Sequence, residues 1–155
     1  MANFIMGSAP VSISATASSI VDPDIGAAGD FDTAIVTLRY AGGELAVIKN
    51  SRRAVYGYDQ RVELLGSEGL LQAQNMLENT VVKSGTGGVT GAKPTYFFLE
   101  RYMQAYKAEW SAFVAAITEG AALPVTLADG VLALAMAEAA TKSAKTGQPV
   151  LLADI

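Results

Sequence analysis

The sequence predicts an α+β domain: an open, largely antiparallel six-stranded sheet with helices packed on one of its faces. Three observations carry that prediction. In the first half of the chain apolar and polar residues alternate with a period of two between glycine-marked turns, as strands with one wet face do. In the second half apolar residues recur at spacings of three, four and seven, as on one face of a helix. No stretch shows the strand–helix–strand alternation of a parallel sheet, and strands followed by helices is the α+β order.

The elements come in order. Val11, Ile13, Ala15 and Ala17 alternate with Ser12, Ser14, Thr16 and Ser18, which predicts a first strand within 10–21. The same alternation decides how to read residues 1–21, which carry no charged side chain. They have no basic leading region, and Pro10 and five serines interrupt the run, so neither a signal peptide nor a membrane span is expected. Further strands are predicted at 32–40, 43–55, 60–66, 69–74 and 79–83. Ala41-Gly42-Gly43 and Gly66-Ser67-Glu68-Gly69 serve as hairpin turns, because glycine tolerates the positive φ such turns need. Leu99, Tyr102, Met103, Tyr106, Trp110, Phe113, Val114 and Ile117 form one face of a helix that Gly120 stops. A second helix starts at Thr126, capped with the help of Asp129, and ends at Gly147. Pro149–Leu152 is placed as a short edge strand.

At 155 residues the chain is read as a single domain, 1–155, able to bury its own core without disulfide or metal. Its 51% hydrophobic and 17% charged composition, with mean hydropathy +0.31, suggests more apolar surface than one core consumes. Helices on one face leave the other sheet face uncovered, so a homo-oligomer through the open sheet face is expected, a dimer or tetramer. A net charge of −4 and a pI near 4.7 argue against nucleic acid. The absence of Cys and His removes Ser-His-Asp and Cys-His catalysis and thiolate or imidazole metal sites. Lack of Cys fits a reducing compartment, and a cytoplasmic location is expected.

Several motifs bear on chemistry. "SGTGGVTG", residues 84–91, does not fit a dinucleotide-binding glycine fingerprint, because Thr90 stands where the last glycine belongs and no strand–helix junction surrounds it. It is read as a flexible connecting loop. Asp22, Asp24, Asp30 and Asp32 break the calcium-loop pattern at Ile25 and are read as an acidic turn, so no metal site is assigned. Arg52 and Arg53 are read as solvated or interface charges. Tyr56 and Tyr58 flank Gly57; in an extended strand both would share one face as an aromatic wall with hydroxyls at its rim.

"NSRRAVYGYDQRVELLGSEG", then "PTYFFLERYMQAYKAEWSAF" and the closing "TGQPV", resembles the C-terminal domain of the Gfo/Idh/MocA oxidoreductases, most closely the inositol 2-dehydrogenase branch, over Met1 to Leu152. The resemblance implies an open-sheet domain that normally succeeds a Rossmann nucleotide domain and uses its outer sheet face between subunits. It implies a polyol or sugar substrate, myo-inositol or a related cyclitol, and NAD or NADP in the parent family. No cofactor-binding or catalytic residue is assigned to this chain, because the glycine fingerprint, the catalytic lysine segment and the His–Asp pair have no counterpart in it. "MANFIMGSAPV" resembles the segment directly downstream of that pair, so a truncated dehydrogenase is expected, inactive alone: an expressed fragment, a proteolytic product or a shortened reading frame. By the same resemblance Tyr58, and secondarily Tyr56, would contact substrate hydroxyls, with Asp59 shaping that edge. The alternative is a stand-alone non-catalytic module for oligomerisation or small-ligand binding.

Overall fold

A computed structural model describes residues 1–155. In chain order the elements are α1 (Ala2–Met6), β1 (Ser12–Ser18), α2 (Pro23–Ala27), β2 (Thr33–Arg39), β3 (Leu45–Ser51), β4 (Val62–Gly66), β5 (Gly69–Ala73), β6 (Val82–Gly85), β7 (Gly88–Gly91), α3 (Phe98–Glu119), α4 (Leu127–Thr146) and β8 (Val150–Leu151), with a last 3-10 turn at Leu152–Asp154. The α+β class and the antiparallel pairing are as the sequence predicts. The six-stranded sheet is not: one sheet has four strands in the order β3-β2-β1-β8, and β4–β5 and β6–β7 are separate hairpins. The break falls between Ser51 and Val62, where Gly57 at φ 136° takes the chain out of the extended conformation. Two compact units result, Met1–Arg53 with Pro124–Ile155, and Ala54–Leu123.

In the first unit the strand register builds the core. Ile13 lies opposite Leu38 on one side and Val150 on the other, and Leu38 lies opposite Ala46, giving one apolar row across the four strands. Ile13, Leu38 and Val150 are 0%, 1% and 6% exposed, and Tyr40 and Ala139 complete the buried cluster. Full burial of a side chain such as Ile13 contributes about 1.5–3 kcal/mol. Ala139 and Ser143 are the buried positions of α4, and small residues there let the helix lie close to the sheet. β8 pairs with β1 only at Ser12 and Ile13; two residues on, the Ala15 N–H donates instead to Ser143 Oγ at 2.9 Å. The sheet's other face carries Ile35, Thr37, Leu45 and Val47, all exposed.

Local chemistry fixes the ends of the elements. Asp32 is buried and accepts the N–H groups of Ile20, Val21 and Asp22 at 3.1, 2.8 and 2.9 Å, holding the turn before α2. Burial raises its pKa and those bonds, with one from Thr33, lower it; the balance lies below the usual carboxylate range. Asp22 caps α2 through the Asp24 N–H at 3.0 Å, with Pro23 at the first helical position. The acidic cluster is therefore the turn that the sequence suggests. Thr126 donates both its N–H and its hydroxyl to Asp129, each at 2.7 Å, opening α4, and Gly147 closes it at φ 69°.

The second unit contains the two hairpins and α3. Residues 84–91 are not a flexible connection: Val82–Gly85 and Gly88–Gly91 pair as β6 and β7, with Gly88 at φ 109° making the reversal. Glycine there serves a hairpin turn. The apolar face of α3 departs from expectation as well. Most of its residues stand exposed, Tyr102 is half-buried, and no residue of the helix is fully buried. The expected packing of a helix on the sheet is seen within the first unit, where α4 lies on β1.

Candidate functional site

The tyrosine segment is a loop, not a strand, so the pair does not form the flat wall an extended chain would give. A Cβ on Gly57 would stand 2.7 Å from the Pro94 carbonyl oxygen, so glycine is required both by that approach and by its φ of 136°. On the next residue the Tyr58 N–H donates to the Thr95 carbonyl at 2.8 Å. These contacts turn the two tyrosines to different partners.

Tyr56 donates its hydroxyl to the Asp59 carboxylate in a short hydrogen bond. Asp59 also receives Arg61 through Nε at 2.7 Å and the terminal guanidinium nitrogen at 2.8 Å, and Asn75 Nδ2 at 2.9 Å. Asn75 in turn accepts the Gln60 N–H at 2.7 Å. The Arg61 hydrogen bonds act first and hold the Asp59 carboxyl well below the usual carboxylate range; burial, the next largest cause, opposes them, and the bonds from Tyr56 and Asn75 add to the lowering. The same bond to Asp59 pushes the Tyr56 hydroxyl up, with burial adding to it. Asp59 is thus a fixed anion with its acceptor capacity largely filled, unsuited to proton transfer near neutral pH.

Tyr58 takes no part in that network. Its ring meets Tyr102 of α3 edge-on, centroids 5.7 Å apart at 78°, and Arg101 lies over the Tyr102 ring at 5.7 Å. Burial, followed by the Tyr58 side chain, pushes the Tyr102 hydroxyl above its ordinary value. The structure brings Tyr56 and Asp59 into direct contact and sets Tyr58 apart from them. Arg61 and Asn75 are the members of the cluster that sequence reasoning misses. The two-residue spacing of Asp59 and Arg61 is the available signal for the first, whereas Asn75 reaches Asp59 only through the fold.

Two shallow surface hollows lie elsewhere, one of about 560 Å³ along Leu134–Thr146 and one of about 480 Å³ among residues 78–93. Neither includes Tyr56, Tyr58 or Asp59. The glycines of 84–91 turn one strand into another, while α3 and α4 begin after Phe97 and Thr126. No group of three or more carboxylate, His or Cys side chains is gathered for a metal, and no helix is long and apolar enough to cross a membrane.

A four-stranded antiparallel sheet with a C-terminal helix makes one unit, and two hairpins with one long helix make the other, an antiparallel architecture of the α+β class. Residues 1–152 match the oxidoreductase family C-terminal alpha/beta domain, and the chain belongs to the Gfo/Idh/MocA oxidoreductase family through that domain. It is 45% identical over 155 residues to a myo-inositol 2-dehydrogenase from Thermotoga maritima, covering 100% of this chain and 46% of the relative. It is similar to the crystal structure of a myo-inositol dehydrogenase from Corynebacterium glutamicum, with TM-score 0.86 and 43% identity over 93% of this chain and 44% of that one. A scyllo-inositol dehydrogenase from Lactobacillus casei, solved with bound NAD(H) and scyllo-inositol, aligns with TM-score 0.87 and 25% identity over 98% of this chain and 45% of that one. The chain spans less than half the length of these relatives.

Proposed function

We propose that this chain is the substrate-recognition and assembly domain of an NAD(P)-dependent oxidoreductase acting on myo-inositol or a related cyclitol. The observation that carries the reading is the division of labour in the tyrosine segment. Asp59 occupies the Tyr56 hydroxyl and is itself held by Arg61 and Asn75, which leaves Tyr58 as the tyrosine outside the network. A tyrosine so placed can donate to or accept from a polyol hydroxyl while its ring packs on the ring C–H face. Tyr58 is the substrate contact in this reading; Tyr56 and Asp59 hold the loop that presents it. The chain's own residues orient substrate, and hydride and proton transfer belong to a nucleotide-binding partner domain.

Assembly uses the open sheet face. Ile35, Leu45 and Val47 are 51%, 67% and 66% exposed, an apolar patch among the threonines and serines of β1 and β2. A second copy laid on that face would make a dimer or half of a tetramer. The relatives named above act on inositols, and at 45% identity over the whole chain the same substrate class is the simplest reading. The test joins the nucleotide-binding domain of the Thermotoga maritima relative ahead of Met1. The fusion should reduce NAD⁺ or NADP⁺ with myo-inositol or another cyclitol. A folded fusion that binds the nucleotide yet turns over no cyclitol would contradict the proposal.

A further inference from the structure

The loop that carries Tyr58 owes its place in the second unit to a small set of hydrogen bonds. Tyr56 and Arg61 reach Asp59 from within residues 56–61, so their bonds stiffen the loop without fixing where it sits. Other bonds reach out of it. The Tyr58 N–H donates to the Thr95 carbonyl at 2.8 Å, Asn75 Nδ2 donates to Asp59 Oδ1 at 2.9 Å, and the Gln60 N–H donates to Asn75 Oδ1 at 2.7 Å. The two anchoring segments are themselves joined, since the Thr95 N–H donates to the Met76 carbonyl at 2.9 Å and Leu77 pairs antiparallel with Pro94. Residues 57–60, 75–77 and 94–95 thus close a ring. Asn75 is the side chain that bridges two of its segments.

The chemistry at position 75 is specific. The Gln60 N–H needs an acceptor and the Asp59 carboxylate needs a donor, and a primary amide supplies both from one planar group. Asn75→Asp would set a second carboxylate against Asp59, and an aliphatic side chain would supply neither function. All of these contacts lie inside the unit Ala54–Leu123.

We infer that Asn75 is a positioning residue for Tyr58: it closes the ring and so fixes where the Tyr58 hydroxyl meets a substrate hydroxyl. This role rests on Tyr58 being the substrate contact, as proposed above, and Asn75 itself touches no substrate. Without Asn75 the loop keeps its internal bonds and one outside hydrogen bond, from the Tyr58 N–H, about which it can pivot. A misplacement of about 1 Å is enough to weaken a contact that depends on alignment.

Two measurements test this. In the chain itself, hydrogen exchange at the Tyr58 amide should quicken about tenfold or more in Asn75→Ala, with the amides of β4 and β5 unchanged, although the Thr95 acceptor is untouched. An unchanged Tyr58 amide would overturn the inference. In the fusion with the Thermotoga maritima nucleotide-binding domain, Asn75→Ala should lower kcat/KM for myo-inositol several-fold. Added to Tyr58→Phe, it should cost less than about a further twofold, because the hydroxyl it positions is already gone. A structural role independent of Tyr58 predicts losses that multiply. Multiplied losses, or an unimpaired Asn75→Ala beside an impaired Tyr58→Phe, would overturn the inference and leave the substrate reading of Tyr58 standing. If the fusion is inactive or Tyr58→Phe is unimpaired, that reading fails and the role of Asn75 with it. Asn75→Asp keeps the side-chain size and the acceptor for Gln60 and loses the donor to Asp59. It should show the same coupling to Tyr58→Phe, and it decides the matter should Asn75→Ala not fold.

Discussion

Gly57 lies so close to Pro94 that a Cβ on it would approach the Pro94 carbonyl oxygen to 2.7 Å, at a φ of 136° that side chains rarely adopt. The tyrosine loop is built around that contact, since the Tyr58 N–H bonds the adjoining Thr95 carbonyl. Gly57→Ala should therefore destabilise the chain by about 1–3 kcal/mol, from backbone strain and the clash together. Denaturant unfolding of the two proteins checks this, and an unchanged midpoint would mean that the loop does not depend on the contact.

Asp59 supplies a pH signature. Its pKa is depressed in the folded chain, first by Arg61, so its contribution is complete above the ordinary unfolded carboxylate value near 3.9 and is lost as pH falls from there toward the folded value. Asp59→Asn should be less stable than wild type at pH 5 and above. The gap should close progressively below about pH 4. Melting curves from pH 3 to 7 measure it; a gap that widens in acid would reverse the sign and contradict the Arg61 pairing.

Ser143 satisfies a strand from a helix. Its hydroxyl accepts the Ala15 N–H at 2.9 Å and is 1% exposed, so Ser143→Ala leaves a backbone donor unpaired beside the core. The cost should be about 1–3 kcal/mol. A chemical-denaturation difference well under about 0.5 kcal/mol would show that water replaces the hydroxyl.

Val47→Glu tests the sheet face. Val47 is 66% exposed in the single chain, so the change should leave the melt nearly unaltered while reducing the sheet-dependent oligomer. Sedimentation velocity of both proteins at one concentration reads it, and an unaltered distribution would remove the sheet face from the assembly.

Much of the fold is legible in the sequence because single residues carry it. The alternation from Val11 to Ser18 yields β1 and its buried Ile13, and Gly120 and Gly147 end the helices where the periodicity stops. The features that escape depend on pairing across distance. Glycines 85 and 88 read as loosening the chain, yet the residues on either side pair with each other. The two-residue spacing of Tyr56 and Tyr58 implies one face only for an extended chain, and Gly57 bends it. A helical stripe likewise says that a face is apolar and not what covers it.

The most direct measurement separates Tyr58 from Tyr56 as the substrate contact. With the nucleotide domain of the Thermotoga maritima relative joined ahead of Met1, Tyr58→Phe and Tyr56→Phe remove one hydroxyl each. Loss of a substrate hydrogen bond worth about 0.5–1.5 kcal/mol, more if a buried polar group is left unpaired, should lower kcat/KM for myo-inositol several-fold to roughly a hundred-fold in Tyr58→Phe. Its melting temperature should match wild type, whereas Tyr56→Phe should lose stability through Asp59 and keep most of its kcat/KM. Equal kcat/KM for Tyr58→Phe and the unsubstituted fusion would contradict the account.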